Sequence, residues 1–227
     1  MGNRFNSFKG TVNMEIIAET ENIRIGQLDV GGSMWANAYL ITCTTTGQSA
    51  LIDAPGKADL VLEQIREKNL KYVLMTHNHK DHTGSLVKLK STLGIPVYGH
   101  ADDASGYPVR LDKELIDSDI VAFGNLEVYV FHTPGHTDGS LCFLIGNFLF
   151  SGDTLFPGGP GYTTSPDNFQ LIIKSIRGKI FNLPNDTIVY PGHGTSTVLG
   201  NEKDEFKTFS SRQHPPDLSG DVLWLNS

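Results

Sequence analysis

The sequence predicts an α/β fold in which β-sheets are covered by helices on their outer faces. Short apolar runs, several with the period-two alternation of strands, are spread over most of the chain. Between them lie segments whose apolar residues recur at the three- and four-residue spacing of an amphipathic helix. Because strands and helices are interspersed along the chain, we expect layered sheets with outer helices.

The first part of the chain is expected to form short strands and one helix. Residues 23–28 (IRIGQL) alternate with a period of two, and residues 36–42 and 50–53 are apolar runs bounded by Gly and Thr. One apolar face then predicts a helix that ends near Asn69; this face carries Ala58, Val61, Leu62 and Ile65. Residues 71–76 (KYVLMT) return to a strand, which leads directly into a cluster of histidines.

Two more helices and several strands are expected after that cluster. One helix carries Leu86, Leu89 and Leu93 and is closed by Gly94. A second begins with Ser165 as its cap and Pro166 in its first turn. Its apolar face carries Phe169, Ile172, Ile173, Ile176 and Ile180. Strands are expected at residues 96–99, 126–131, 141–145, 148–151 and 187–190.

Composition points to one globular domain, and the partner that we expect is a small-molecule substrate. We predict a single domain over residues 1–227, with the motifs in a core of residues 20–195 and a short C-terminal tail, because no repeat or linker is visible. Hydrophobic residues make up 39% of the chain, enough for a sizeable core. The net charge is −7 and the Lys and Arg residues are scattered, which disfavours a nucleic-acid partner. Oligomeric state stays open.

Targeting and cysteine usage favour a cytoplasmic protein. The first twenty residues have neither the apolar core nor the cleavage site of a signal peptide, and no apolar run reaches membrane-spanning length. We therefore expect no membrane partner. Cys43 and Cys142 lie in apolar, strand-like stretches without CxxC spacing, so we expect them to be buried rather than cross-linked or metal-bound.

The segment directly after the strand at 71–76 concentrates metal-ligating side chains. His77, His79, Asp81 and His82 place three imidazoles and one carboxylate within six residues. These groups are the preferred ligands of zinc, iron and manganese. Four of them cannot all reach one ion over so short a segment without strain. A turn can instead direct His77 and His79 to one ion, and Asp81 and His82 to a neighbouring ion.

Three further residues have the same setting, at the end of an apolar run and beside glycine. They are His136 in TPGHT, Asp153 in SGDT and His193 in PGHG. Glycine lets the backbone turn sharply and approach an ion closely, and loops at strand ends are where a fold presents reactive groups. Together with the histidine cluster, these loops predict a binuclear metal site.

The segments HNHKDH, PGHT, SGD and PGHG, in this order, resemble the motifs of the metallo-β-lactamase superfamily over roughly residues 20–195. The resemblance implies an αββα sandwich, in which two mixed sheets are flanked by helices. It also implies two divalent metal ions, with zinc as the first expectation and iron or manganese as alternatives. The first ion would be held by His77, His79 and His136, and the second by Asp81, His82 and His193. Asp153 would bridge the two.

Such a pair of ions favours hydrolysis. Two cations can share a water molecule and lower its pKa towards neutrality, so that the resulting hydroxide attacks a carbonyl. Asp81 and Asp153 are accordingly the catalytic candidates. Asp81 has an alternative role as a general base if the second site is empty.

Within the superfamily, the spacing and the SGDTLF segment are most similar to glyoxalase II, the hydroxyacylglutathione hydrolases. The resemblance implies a thioester or ester hydrolase. Two departures concern the glutathione site. Residues 156–162 (FPGGPGY) replace the usual Gly-Cys-Gly-Arg type of stretch, and residues 194–227 are too few for the helical domain that supplies basic residues for glutathione.

The alternatives are an oxidoreductase, other hydrolases and a non-catalytic protein. Persulfide dioxygenases resemble glyoxalase II but use one iron, which His77, His136 and Asp153 would hold here. Their Gly-Arg-Thr-Asp segment is missing. Lactonases and β-lactamases are further hydrolytic alternatives. A non-catalytic metal-binding protein is least expected, since no ligand has been lost.

Other polar residues receive structural or supporting roles. Asp53, at the end of a strand, either orients a metal-binding histidine or is an ordinary turn carboxylate. His132 is expected to pack or to support the site rather than bind metal, and His100 and His214 to be structural or solvated. The substrate groove is expected to be walled by residues 101–119 and 156–166. The apolar tail at 222–225 could dock on its own domain or on a second subunit.

Overall fold

The structure, a computed structural model, describes residues 14–227, so the prediction about a signal peptide falls largely outside it. Two mixed sheets face each other. The first has seven strands in chain order: β1 (Glu15–Glu19), β2 (Ile23–Gln27), β3 (Tyr39–Cys43), β4 (Gln48–Ile52), β5 (Asn69–Leu74), β6 (Val97–Gly99) and β7 (Lys113–Glu114). Its first four strands are antiparallel, and β4 to β7 are parallel.

The second sheet has six strands. In chain order they are β8 (Ile120–Phe123), β9 (Leu126–His132), β10 (Leu141–Ile145), β11 (Phe148–Gly152), β14 (Ile188–Pro191) and β15 (Thr197–Val198). They lie side by side in the order β15-β14-β11-β10-β9-β8. Between β11 and β14, the short strands β12 (Leu155–Phe156) and β13 (Gly159–Pro160) form a separate hairpin.

Five α-helices lie in the described part of the chain. They are α1 (Ala58–Ile65), α2 (Lys80–Thr83), α3 (Leu86–Leu93), α4 (Pro166–Gly178) and α5 (Leu199–Ser210). Short 3-10 helices cover Ala101–Gly106 and Ile180–Asn182. None of these helices is long and apolar enough to cross a membrane.

The packing confirms the αββα sandwich. A central apolar layer between the sheets includes Ile41 and Ile52 of the first sheet and Val130, Phe143 and Phe150 of the second. An outer cluster packs Val61 and Leu62 of α1 and Leu86 and Leu89 of α3 on the first sheet. The opposite outer cluster packs Phe169, Ile172 and Ile176 of α4 and Phe209 of α5 on the second sheet. Each sheet is therefore buried on both faces, with helices outside.

Two predicted helix ends are confirmed by their capping contacts. The Ser165 Oγ accepts the backbone N–H of Asn168 at 3.2 Å and begins α4, with Pro166 in the first turn. Gly94 ends α3 in the left-handed conformation, at φ 61°.

Other predictions of the elements were wrong. The helix expected to run to Asn69 ends at Ile65, because pairing with β4 begins at Asn69 and draws the chain into an extended conformation. Helix α5 was missed because its buried face combines Leu199 and Phe209 with a carboxylate, Glu202.

Both cysteines are buried and free, as predicted.

The apolar tail docks on its own domain. Trp224 is fully buried against Phe206 and Phe209 of α5, with ring centroids 5.2 and 5.3 Å away. Its indole N–H donates to Glu202 Oε2 at 3.2 Å, and its backbone N–H donates to Gly158 O at 2.8 Å. The C-terminal segment therefore becomes part of the surface around the hairpin β12–β13.

Candidate metal centre

The predicted ligands converge because the strands that precede them end at the same edge of the sandwich. Strands β9 and β11 are both antiparallel to β10, and β14 is parallel to β11. These three strands therefore run in one direction and deliver His136, Asp153 and His193 to a common edge. From the first sheet, β5 delivers His77 and the segment that includes α2.

His77, His79 and His136 form the first group of ligand atoms. His79 Nδ1 lies 3.1 Å from His77 Nε2 and 3.0 Å from His136 Nε2. Tetrahedral ligation with bonds of 2.0–2.1 Å places ligand nitrogens about 3.3 Å apart. Both separations from His79 are therefore close to that value, and all three nitrogens lie within 4.8 Å of one another.

Asp81, His82 and His193 form the second group. His193 Nε2 lies 3.0 Å from Asp81 Oδ2, and His82 Nε2 lies 4.0 Å from the same oxygen. These atoms all lie within 4.8 Å of one another. His77 with His79 and Asp81 with His82 thus belong to different groups, although His77 and His82 also lie together beside Asp153.

Asp153 lies between the two groups. Its Oδ1 is 3.3 Å from His82 Nε2, and its Oδ2 is 3.5 Å from His136 Nε2 and 3.8 Å from His193 Nε2. One carboxylate therefore faces nitrogens of both groups, as a bridging ligand would.

The donor chemistry fits divalent cations. Among the described residues, the buried His82 Nε2 and Asp153 Oδ1 have no hydrogen-bond partner. Buried polar atoms without a partner are costly, and an ion between them would satisfy both. Five imidazoles and two carboxylates suit zinc, iron and manganese alike.

Asp53 orients one histidine of each group through a hydrogen-bond chain. The buried carboxylate accepts His82 Nδ1–H at 2.7 Å and the Thr76 hydroxyl at 2.7 Å, both through Oδ2. Since the hydroxyl hydrogen is used there, Thr76 Oγ1 can only accept from His77 Nδ1, 3.1 Å away. Both imidazoles therefore carry hydrogen on Nδ1 and present the free lone pair of Nε2 to the centre. The sequence had left open whether Asp53 plays this part.

Two further contacts hold the ligand loops. His136 Nδ1 donates to the Tyr162 carbonyl at 2.9 Å, which fixes the third histidine in the same way. Asp103 accepts the backbone N–H of Asn78 at 3.1 Å and that of Gly139 at 3.0 Å. It thereby ties the histidine cluster to the loop that carries His136. Sequence reasoning missed Asp103, which lies without any motif in the polar stretch 101–119.

Gly192 is required by close packing. A Cβ atom at this position would lie 2.1 Å from Asp153 Oδ1 and 2.7 Å from His82 Cε1. A side chain there would displace two of the predicted ligands. The glycine before His193 thus has the role that the sequence pattern predicted, close approach of the backbone to the centre.

The protonation states suit cation binding. Burial lowers the pKa of His77 well below its ordinary 6.5, and the neighbouring imidazoles lower it further. Burial also disfavours the charged form of His82, but the carboxylates of Asp53 and Asp153 outweigh it and raise its pKa to about 10. Burial raises the pKa of Asp153, yet His82, whose Nε2 lies 3.3 Å from Asp153 Oδ1, lowers it overall. A cation would displace the proton that His82 otherwise holds between two carboxylates.

A separate cluster outside the predicted centre, formed by His100, Asp102 and His132, is unsuited to metal. The two rings stack at 3.9 Å with an interplanar angle of 13°. Imidazole lone pairs lie in the ring plane, so parallel stacked rings cannot direct them at one ion. His100 Nδ1 also accepts the backbone N–H of Asp102 at 3.2 Å. His132 and His100 therefore pack against each other, as expected of non-ligands.

Two cavities flank the centre. One, of about 310 Å³, is lined by His136 and Asp153, by the hairpin segment 156–162, and by residues 221–223 of the tail. The other, of about 320 Å³, lies beside His193 and is lined by the loop 27–37. Of the segments predicted to wall the substrate groove, residues 156–162 line the first cavity. Residues 101–119 line neither cavity, and they instead support the ligand loops through Asp103.

Comparison with known proteins agrees with this arrangement. The sequence profile of the metallo-beta-lactamase superfamily matches residues 36–193, well over half of the chain. The hydroxyacylglutathione hydrolase GloC of Haemophilus influenzae is 33% identical over 179 residues, which cover 68% of this chain and 84% of that protein. The hydroxyacylglutathione hydrolase of Rhodospirillum rubrum is 38% identical over 159 residues, which cover 68% of this chain and 60% of that protein.

Solved structures show the same fold. ETHE1 from Myxococcus xanthus superposes with a TM-score of 0.68 and 33% identity, over 79% of this chain and 81% of that one. TTHA1623 in a di-iron-bound form superposes with a TM-score of 0.66 and 28% identity, over 77% of this chain and 96% of that one. The chain belongs to the metallo-β-lactamase superfamily, within its glyoxalase II-like branch. Its general function is accordingly that of a metal-dependent hydrolase of this superfamily.

Proposed function

We propose that the enzyme is a binuclear metallohydrolase that cleaves a thioester or ester carbonyl with water. The observation that carries the proposal is the division of seven donor side chains into two groups with Asp153 between them. His77, His79 and His136 would hold one ion, Asp81, His82 and His193 the other, and Asp153 would contact both. Zinc is the first expectation, with iron and manganese as alternatives.

The chain's own residues would prepare this chemistry. When bound, the cations would supply a Lewis acid for the carbonyl oxygen and a lower pKa for a shared water. Asp53 keeps His77 and His82 in the tautomer that can donate a lone pair. If the second site is empty, Asp81, whose carboxylate is 37% exposed, would instead serve as a general base that accepts a proton from water. The cavity lined by His136 and Asp153 gives the substrate access to these groups.

The likeness to ETHE1 is compatible with the alternative, a mononuclear iron oxidoreductase. That enzyme would need only His77, His136 and Asp153. The second group favours the hydrolase, because Asp81, His82 and His193 would have no ion to bind in a mononuclear enzyme.

Metal content distinguishes the two. The experiment measures metal per chain in protein purified without added metal, and in Asp81→Ala. We expect about two equivalents, falling towards one in Asp81→Ala, together with thioester, ester or lactone hydrolysis. A single equivalent of iron, unchanged in Asp81→Ala, would overturn the proposal in favour of the oxidoreductase. Tight binding of two ions without hydrolysis of any of these substrates would identify a non-catalytic metal-binding protein.

A further inference from the structure

The cavity next to the first metal group has a wall made by the C-terminal segment. Residues 221–223 line it together with Phe156, Tyr162, His136 and Asp153. A molecule in this cavity would therefore contact both the tail and ligands of the predicted metal centre.

Contacts on both sides of residues 221–223 fix this wall in place. Thr163 and Gly220 exchange backbone hydrogen bonds of 3.3 and 2.9 Å just before the lining residues. Just after them, Trp224 is buried and bonded to Glu202 and Gly158. The segment between these two attachments holds Asp221, Val222 and Leu223 at the cavity.

The wall is apolar with an acidic residue. Phe156 and Leu223 offer hydrocarbon surface, and Leu223 is 47% exposed although it lines the cavity. Asp221 is the charged side chain that the tail contributes. A ligand group here gains by burying apolar surface, and a carboxylate is repelled.

The second cavity, beside His193, also has an acidic residue in its lining. Asp29 is its acidic residue, on the loop before Trp35. Across the residues that line the two cavities, all within the described chain, there is no Lys or Arg. A ligand that carries carboxylates at its ends would therefore find no Lys or Arg side chain there to pair with them.

We propose that the substrate is an acyl thioester or ester with an apolar chain and uncharged or cationic ends, and that thioesters of glutathione are disfavoured. Glutathione carries two carboxylates and one ammonium, and so would place net negative charge between Asp29 and Asp221. The inference rests on the proposed hydrolase function, but concerns the walls of the groove rather than the metal centre.

Binding of two matched thioethers tests the inference without relying on hydrolysis. S-hexyl-N-acetylcysteamine is neutral and S-hexylglutathione is anionic, and neither has a thioester bond. Calorimetric titration of the metal-loaded protein should show at least about tenfold tighter binding of the neutral compound. Asp221→Lys should reduce this preference about tenfold, since it reverses a charge near the ligand. The control Asp217→Lys makes the same change at an exposed residue of the tail that lines neither cavity, and should leave the preference unchanged.

Hydrolysis of the matching hexanoyl thioesters completes the test. We expect kcat/KM to favour the N-acetylcysteamine ester by a similar factor, and Leu223→Ala to lower kcat/KM for that ester several-fold. Equal or tighter binding of S-hexylglutathione by the unmodified protein would overturn the inference. Preferential binding of the neutral thioether without hydrolysis of either ester would instead overturn the proposed hydrolase and leave the ligand preference standing.

Discussion

The Asp53 carboxylate sets the tautomers of one histidine in each metal group, so Asp53→Asn is predicted to weaken both sites at once. Asp53 Oδ1 accepts the Thr76 backbone N–H at 2.8 Å, and Oδ2 accepts the Thr76 hydroxyl and His82 Nδ1–H. In asparagine, one of these two acceptors becomes an NH₂ donor.

The amide has no orientation that satisfies every partner. If its oxygen faces the Thr76 N–H, its NH₂ faces His82 Nδ1 and the Thr76 hydroxyl. The hydroxyl then donates to His77, and both imidazoles must accept on Nδ1, which places a hydrogen on each metal-facing Nε2. If the amide is flipped, two N–H groups oppose each other at Thr76.

The expected loss of metal affinity follows from the pairs of hydrogen-bond donors that would face each other in the variant. An ion that binds His77 or His82 through Nε2 forces hydrogen onto Nδ1 against another donor, at a cost of about 1–3 kcal/mol for each buried contact. Since about 1.4 kcal/mol is a tenfold change in affinity, each ion should bind about 10- to 100-fold more weakly.

The assay is competition for zinc with a chromophoric chelator, combined with thermal unfolding of the metal-free protein. Asp103→Asn is the matched control, because Asp103 is also buried and accepts three hydrogen bonds but contacts no imidazole. We expect Asp103→Asn to lose stability with a much smaller change in zinc affinity. Unchanged zinc affinity in Asp53→Asn, or an equal loss in the two variants, would refute the tautomer argument.

Two further predictions concern packing and buried charge. Gly192→Ala should lower zinc affinity more than tenfold and cost about 1–3 kcal/mol of stability, because its methyl group would displace Asp153 and His82. Gly178→Ala, which adds a methyl group in open space, is the control. Equal effects of the two substitutions in calorimetry and chelator competition would contradict the reasoning. Burial raises the pKa of Glu202 above its ordinary 4.5. The folded state therefore binds this proton more tightly than the unfolded state, and the group's contribution to stability is lost as pH rises above about 4.5. The amide of Glu202→Gln can still accept hydrogen bonds from Gly158 and Trp224. In urea unfolding of chelator-treated samples, the free energy of unfolding of this variant should therefore rise relative to that of the unmodified protein between pH 4.5 and 7.5. A relative fall over that range would contradict the predicted direction of the pKa shift.

The fold could be predicted where the local pattern and the tertiary environment agree. Helix α4 has a cap, a first-turn proline and a continuous apolar face, and its start was placed correctly. The end of α1 depends on where β5 begins to pair with β4, which is a long-range contact without a local signal. Helix α5 was missed because Glu202, a buried carboxylate on its inner face, interrupts the apolar spacing.

The positions of the candidate ligands could be predicted for a similar reason. Each ligand segment begins within a few residues of a strand end, so its placement depends largely on the direction in which that strand runs; Asp81 and His82 also depend on α2. Supporting residues need more. Asp53 could be suspected because it ends a strand, but its chain to His77 through Thr76 requires the parallel pairing of β4 with β5. Asp103 carries no local signal, since its partners Asn78 and Gly139 come from two distant loops.

The same distinction explains why the sequence identifies the chemistry more readily than the substrate. Donor side chains must lie within a few ångströms of an ion, so they recur as short motifs at strand ends. The cavity walls have no such restriction, and here one wall comes from the tail, far beyond the last motif. Its position depends on the burial of Trp224 and its bond to Glu202, residues that belong to no ligand motif. If this cavity binds the substrate, as we propose, specificity would change through the tail and the hairpin β12–β13 while the seven donor side chains stay as they are.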